Sequence, residues 1–195
     1  MTKFGPDVWA YGVLAATLMV ASATDVRCGK IYNWTTYPAI AAGLVGHALA
    51  GGLLGRGGLV GGMGLPGALA GLAVGFGPLL LAWMAGGIGG GDAKIMGAVG
   101  ALAGWRFALT ALFYGLAVAA VMALVILVSR RMMVRTLGRI GRFLLLWFLK
   151  AKPPSPATEQ SPTVPFGLAL CIGAAVGLIF TFFYGPSERV FLLGI

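Results

Sequence analysis

Phe107-Ala-Leu-Thr-Ala-Leu-Phe-Tyr-Gly-Leu-Ala-Val-Ala-Ala-Val-Met-Ala-Leu-Val-Ile-Leu-Val-Ser129 runs for 23 residues without a charge. About 20 such residues cross the roughly 30 Å hydrocarbon core of a bilayer. No water is available there to satisfy an open sheet, so the backbone has to be helical. The stretch reads as a membrane helix, and outward from it similar apolar runs recur at about 8–24, 35–54, 65–87 and 164–184. A shorter apolar piece, Ile95 to Gly104, follows Asp92 directly. It is too short to span unless protein surrounds it, and it counts as a sixth, short helix. The expected fold is an all-α polytopic membrane bundle of about six transmembrane helices, forming one embedded domain over residues 1–195.

Composition points the same way: 59% of the chain is hydrophobic and 10% charged, against roughly 45–50% and about 25% in soluble domains. The 33 glycines follow no Gly-X-Y period and sit among Leu, Ala and Val, where small residues let helices approach closely. Gly67, Gly71 and Gly75, spaced by four, fit that role. Two stretches read as loops. One is Gly51 to Gly64 around Arg56, and the other is Ala151 to Thr163, whose Lys-Pro-Pro-Ser-Pro run forbids a helix.

Between the last two long runs, Arg135, Arg139 and Arg142 alternate with Leu and Phe in the segment 134–150. On a helix that spacing makes one basic and one apolar face, which suits anionic lipid headgroups along 130–152 better than nucleic acid. With the Pro-rich stretch it forms an expected cytoplasmic loop at about 130–163. Sorting the 14 Lys and Arg residues by loop puts ten on one side (Arg27, Lys30, Lys94, Arg130, Arg131, Arg135, Arg139, Arg142, Lys150, Lys152) and four on the other (Lys3, Arg56, Arg106, Arg189). The positive-inside rule then places the first group in the cytoplasm and the N-terminus outside. Ala21-Ser22-Ala23 resembles a small-residue cleavage site. The charge count puts it on the cytoplasmic side, so the first span is expected to be retained.

Few residues here could carry chemistry. Cys28 and Cys171 stand far apart with no CxxC pairing, and His47 lies alone in an apolar run. This pattern offers no metal site, no cofactor site and no disulfide framework, and His47 reads as a satisfied polar residue between helices. Of the five acidic residues, Asp7, Glu159 and Glu188 sit where water can solvate them. Asp25 and Asp92 instead stand at junctions of apolar runs with loops predicted on one side of the membrane. Ionisable groups at such depth cost roughly 2.5–3.5 kcal/mol even on lenient scales and usually serve a function. Two carboxyls in a partly desolvated site can share one proton, so that one accepts a proton from water while the other donates to a carbonyl. That is aspartic-peptidase chemistry. For Asp92 alone, within Gly86-Gly87-Ile88-Gly89-Gly90-Gly91-Asp92-Ala93-Lys94, the alternative is a glycine turn with Asp92 capping the next helix.

Gly89-Gly90-Gly91-Asp92 matches the GxGD motif of membrane aspartic peptidases, and Gly-Gly-Gly-Asp-Ala-Lys resembles the version found in prepilin peptidases. Asp25-Val26-Arg27-Cys28-Gly29-Lys30-Ile31-Tyr32-Asn33-Trp34-Thr35 resembles that family's first aspartate region, with Tyr32 where the family usually has Pro. Thr163-Val164-Pro165-Phe166-Gly167 resembles a third family feature, so the likeness extends along the chain in order and spacing. It implies that Asp25 and Asp92 are catalytic, supported by Gly89, Gly91, Lys94, Arg27 and Asn33. Asn33 could orient the loop or an aspartate, or simply make a turn. Lys94 could act on Asp92 electrostatically or anchor the chain at headgroups. The resemblance further implies a multi-pass enzyme of the inner membrane that cuts the leader of type IV pilin-like precursors at the cytoplasmic face. The methylating domain with paired CxxC motifs found in larger members has no counterpart ahead of Asp25, so a peptidase-only form is expected. The rival reading, a proton- or cation-coupled transporter using the same aspartates, calls for midplane acids or inverted repeats.

Overall fold

The computed structural model describes residues 8–53, 63–129, 138, 141 and 165–184. Its elements are α1 (Val8–Cys28), α2 (Asn33–Gly51), α3 (Gly64–Met84), α4 (Gly90–Ser129) and α5 (Phe166–Tyr184), with no strand among the described residues. The all-helical class stands. Of about six expected crossings, three described helices, α1, α3 and α4, have the length and hydropathy to cross a membrane, and α5 holds a shorter apolar helix, Phe166–Thr181. Asp7, Arg56, the basic segment 134–150 apart from Gly138 and Gly141, the Pro-rich loop 151–163, Glu159 and Glu188 lie outside the described residues.

The chain forms two compact units, one of residues 1–118 with 165–195 and one of residues 119–164. In the second, the described stretch 119–129 is helical, and Val121, Leu124, Val125 and Val128 are exposed. Both aspartates belong to the first unit. There α1 packs against α5 and α2, and α2 against α3.

Helix faces explain these contacts. The buried residues of α1 are Ala10, Leu14, Thr17, Leu18, Ala21 and Asp25, recurring every three or four positions so that they form one stripe. Asp25 is the last member of that stripe, inside the helix rather than beyond it. The helix ends because Gly29 adopts φ +61° and its N–H bonds the Asp25 carbonyl at 2.8 Å, an αL cap that a side chain would strain.

On α3 the buried stripe is Gly64, Ala68, Gly71, Gly75 and Leu79. A methyl at Gly71 would overlap the Gly100 carbonyl of α4, one at Gly100 would overlap the Gly71 carbonyl, and one at Gly75 would overlap the Met96 carbonyl. Two of the three glycines expected to pack helices do so. The third, Gly67, faces the side chain of Met63.

The first part of α4 explains why a short helix follows Asp92. Residues 95–102 are all buried, so protein surrounds this stretch on every side. Gly104, at φ +85° and ψ 170°, then breaks the helix where the apolar piece was expected to end. The break removes the partner of the Leu102 carbonyl four residues on. His47 Nε2 replaces it, donating to Leu102 O at 2.9 Å while its ring packs 5.0 Å from Trp9. For Nε2 this agrees with the sequence reading of His47 as a satisfied polar residue between helices.

Close backbone approach makes a direct test. Gly100→Ala should destabilise the protein by about 1–3 kcal/mol, the usual cost of overpacking. Gly12→Ala and Gly77→Ala, whose added methyls would meet nothing within 4 Å, should leave it unchanged. Melting midpoints in detergent decide the matter, and an unaltered Gly100→Ala midpoint would contradict the tight α3–α4 contact.

Candidate active site

Asp25 and Asp92 are each buried, 7% and 9% exposed, in the last turn of α1 and the first turn of α4. A desolvated carboxylate needs donors from the chain itself, and each finds a backbone amide. Leu168 N–H, in the first turn of α5, donates to Asp25 Oδ2 at 2.7 Å. This is one of the amides that a helix start leaves without an intrahelical partner. Gly89 N–H donates to Asp92 Oδ2 at 3.2 Å. Because α4 begins at Gly90, Asp92 is its third residue and reaches back to the residue before the helix, as the acidic member of a capping box does. Asp92 therefore does cap locally, though not as the N-cap residue, and the bond turns its other oxygen, Oδ1, toward Asp25.

Gly167 fixes how close the pair is. A methyl built there would stand 2.9 Å from Asp92 Oδ1 and 3.0 Å from Asp25 Oδ2. The two oxygens thus lie at most 5.9 Å apart, the sum of their separations from that common point. One water can bridge such a span with a hydrogen bond of about 2.9 Å to each oxygen.

The remaining motif residues take different places. Gly91 is small because the chain's own loop presses on it: a methyl would stand 3.1 Å from Ile31 Cβ and 3.2 Å from Ile31 O. A methyl at Gly89 would meet Asp92 Oδ2 at 3.2 Å. In this glycine run the left-handed conformation falls at Gly86, φ +78°, and not in the Gly89–Gly91 triplet. The triplet serves close approach more than backbone freedom. Lys94 Nζ donates to Asn33 Oδ1 at 2.9 Å and lies 5.1 Å over the Tyr37 ring, so these residues tie the first turn of α4 to that of α2. Arg27 is exposed at the end of α1.

Two neighbours of the pair escaped single-residue notice in the sequence. Gly167 was legible only as part of the Thr163–Gly167 feature, and Ile31 only as part of the first aspartate region. Ile31 Cδ1 would lie 2.7 Å from a methyl at Gly167, so this side chain sits between Gly91 and Gly167. Spacing along a chain does not say which loop residue folds back onto a distant helix start.

Over residues 12–125 the chain matches the type IV leader peptidase family. No curated protein and no solved structure matches it. The family match takes in both aspartates, the glycine run, Ile31 and the Lys94–Asn33 tie, and it covers more than half of the 195 residues. Three long apolar helices and that span of agreement lead to one conclusion: this membrane protein belongs to the type IV leader peptidase family, proteases that process type IV pilin precursors.

Proposed function

We propose that the chain is an aspartic endopeptidase that cuts the leader from a pilin-like precursor at the cytoplasmic membrane face, with Asp25 and Asp92 as the catalytic pair. The observation that carries this reading is the closeness of the carboxylates: Asp92 Oδ1 and Asp25 Oδ2 lie 2.9 Å and 3.0 Å from one position beside Gly167 and so at most 5.9 Å from each other. In the proposed reaction one carboxylate takes a proton from water, and the water oxygen attacks the scissile carbonyl carbon. The other carboxyl, protonated, donates to the carbonyl oxygen. Collapse of the tetrahedral species breaks the C–N bond, and the amine leaves with a proton. The amides of Leu168 and Gly89 hold the two side chains in place during these transfers.

Transport through the same aspartates has less support. Both acids lie at helix ends rather than mid-helix, and the family's activity is proteolysis. Orientation rests on the charge asymmetry, which puts the 25–34 and 86–94 segments in the cytoplasm with the precursor's basic leader. About six crossings, one of them the short buried helix, complete the proposed topology.

Asp25→Asn and Asp92→Asn should each lower precursor cleavage by at least about 100-fold, the scale of general acid–base contributions, with the melting midpoint retained. Substantial turnover in either variant sinks the assignment. Chelators and thiol reagents should leave turnover intact, including in a Cys28→Ser, Cys171→Ser protein.

Topology is checked separately, in a Cys28→Ser, Cys171→Ser background with single cysteines at Lys30 and Gly87, both exposed. A membrane-impermeant thiol label should fail at both in intact cells and react at both once the inner face is opened. Labelling of the two from opposite sides would separate the aspartates and refute the shared site.

A further inference from the structure

We propose that Gly167 is a positioning residue of this site: the lack of a side chain in the first turn of α5 lets that backbone lie against both carboxylates and so sets the separation of Asp25 and Asp92 that one water has to bridge. The inference rests on the aspartic-peptidase reading above.

Among the described glycines, Gly167 alone has both carboxylates among its nearest neighbours. Those of the GxGD run face one carboxylate or none: Gly89 meets Asp92, Gly90 meets the Trp83 indole and Gly91 meets Ile31. Carbon at 2.9 Å and 3.0 Å from two oxygens is closer than ordinary van der Waals contact allows, so a methyl at 167 forces something to move. Three groups could give way, and they differ in stiffness. Ile31 Cδ1, at 2.7 Å, is the far end of a flexible side chain and can rotate aside. The carboxylates cannot yield as cheaply. Asp25 is held by the Leu168 amide and Asp92 by the Gly89 amide, each in a helix end packed into the core.

An alanine methyl would therefore drive the two oxygens apart. It would also put an apolar group in contact with both acceptors, beside whatever water bridges them. Nothing in the helix itself calls for glycine. Gly167 has no left-handed φ, and Ala is the better helix former by up to about 1 kcal/mol. A glycine that weakens its own helix and faces both acids has its reason in the site.

The test is Gly167→Ala in the full chain, assayed for precursor cleavage beside wild type, Gly12→Ala and Gly77→Ala. The expected result is a kcat lower by about 10-fold or more, approaching the roughly 100-fold loss that a misplacement of about 1 Å brings. KM should stay within about twofold, since uniform binding is untouched, and the melting midpoint should fall no further than that of Gly100→Ala, which bears the ordinary cost of overpacking. The Gly12→Ala and Gly77→Ala proteins should keep full kcat. Adding Ile31→Val, which removes Cδ1, should not restore Gly167→Ala.

Recovery of kcat in that double variant would overturn the inference, because the obstruction would then be Ile31 and not the carboxylates. Full kcat in Gly167→Ala, a raised KM with kcat unchanged, or a melting midpoint that falls below that of Gly100→Ala would each overturn it as well. Loss in Asp25→Asn and Asp92→Asn together with full kcat in Gly167→Ala removes the inference alone. Retained cleavage in the Asn variants removes the peptidase reading and the inference with it.

Discussion

The amide of Leu168 reaches Asp25 Oδ2 at 2.7 Å across 143 residues of sequence. A carboxylate buried in an apolar bundle without such a donor costs several kcal/mol, so the start of α5 is bound to dock at the end of α1, and these helices do pack together. Much of the local architecture follows. The Gly29 cap ends α1 one turn after Asp25 and sends the chain through a short loop into α2. Ile31, in that loop, fills the space between the starts of α4 and α5 that Gly91 and Gly167 leave open. Asp92 completes the group by bonding the amide that precedes its own helix.

Glycine is used in two ways, and the difference lies in what approaches. At Gly71, Gly75 and Gly100 the neighbour is another helix backbone, and a side chain would push α3 and α4 apart. In a membrane, where helices gain little from hiding apolar surface from one another, such close packing is a main source of association. At Gly167 the neighbours are acidic oxygens, and on the proposed reading the consequence of a side chain is chemical. The buried first part of α4 connects the two uses. It carries Asp92 at its start and Gly100 along its length, and it stops at Gly104, where His47 satisfies the released carbonyl. Any change that moves α3 against α4 would shift Asp92 as well.

Most helices were legible because charge and turn residues interrupt apolar runs. The run at 8–24 corresponds to α1, that at 65–87 to α3 and that at 164–184 to α5. The ends were read less well, and α1 shows why. An apolar run appears to stop at Asp25, whereas the helix continues through Arg27 because the carboxylate is buried on the same stripe as Ala21 and Leu18. The aspartates themselves were conspicuous, being acids at apolar junctions beside a glycine run. The contribution of the start of α5 was not. The Leu168 amide has no side-chain signature, since every residue but proline carries such a donor, and Gly167 was legible only within the Thr163–Gly167 feature. The His47 cap was hidden for a similar reason, because it answers a helix break that depends on one φ angle at Gly104.

Alternating chain direction brings the end of α1, the start of α2, the end of α3 and the starts of α4 and α5 to one end of the first unit. The Asp25, Ile31, Trp83, Asp92 and Gly167 contacts record this arrangement. Exposed Tyr32, Trp34, Tyr37 and Trp83 gather at that end, and such aromatic residues favour the boundary between lipid and water. Trp9 and His47 pack together at the other end. Hydrolysis needs water, whereas a shared proton needs carboxyls that water does not fully solvate. For Asp25 and Asp92 as the proposed catalytic pair, burial by their own helices only a turn from the helix ends meets both demands. On the proposed reading the pair would also stand at the level where an extended polar leader joins an apolar helix in a membrane-held precursor. A pair half a helix deeper would keep its desolvation but lose its water and the polar segment to be cut.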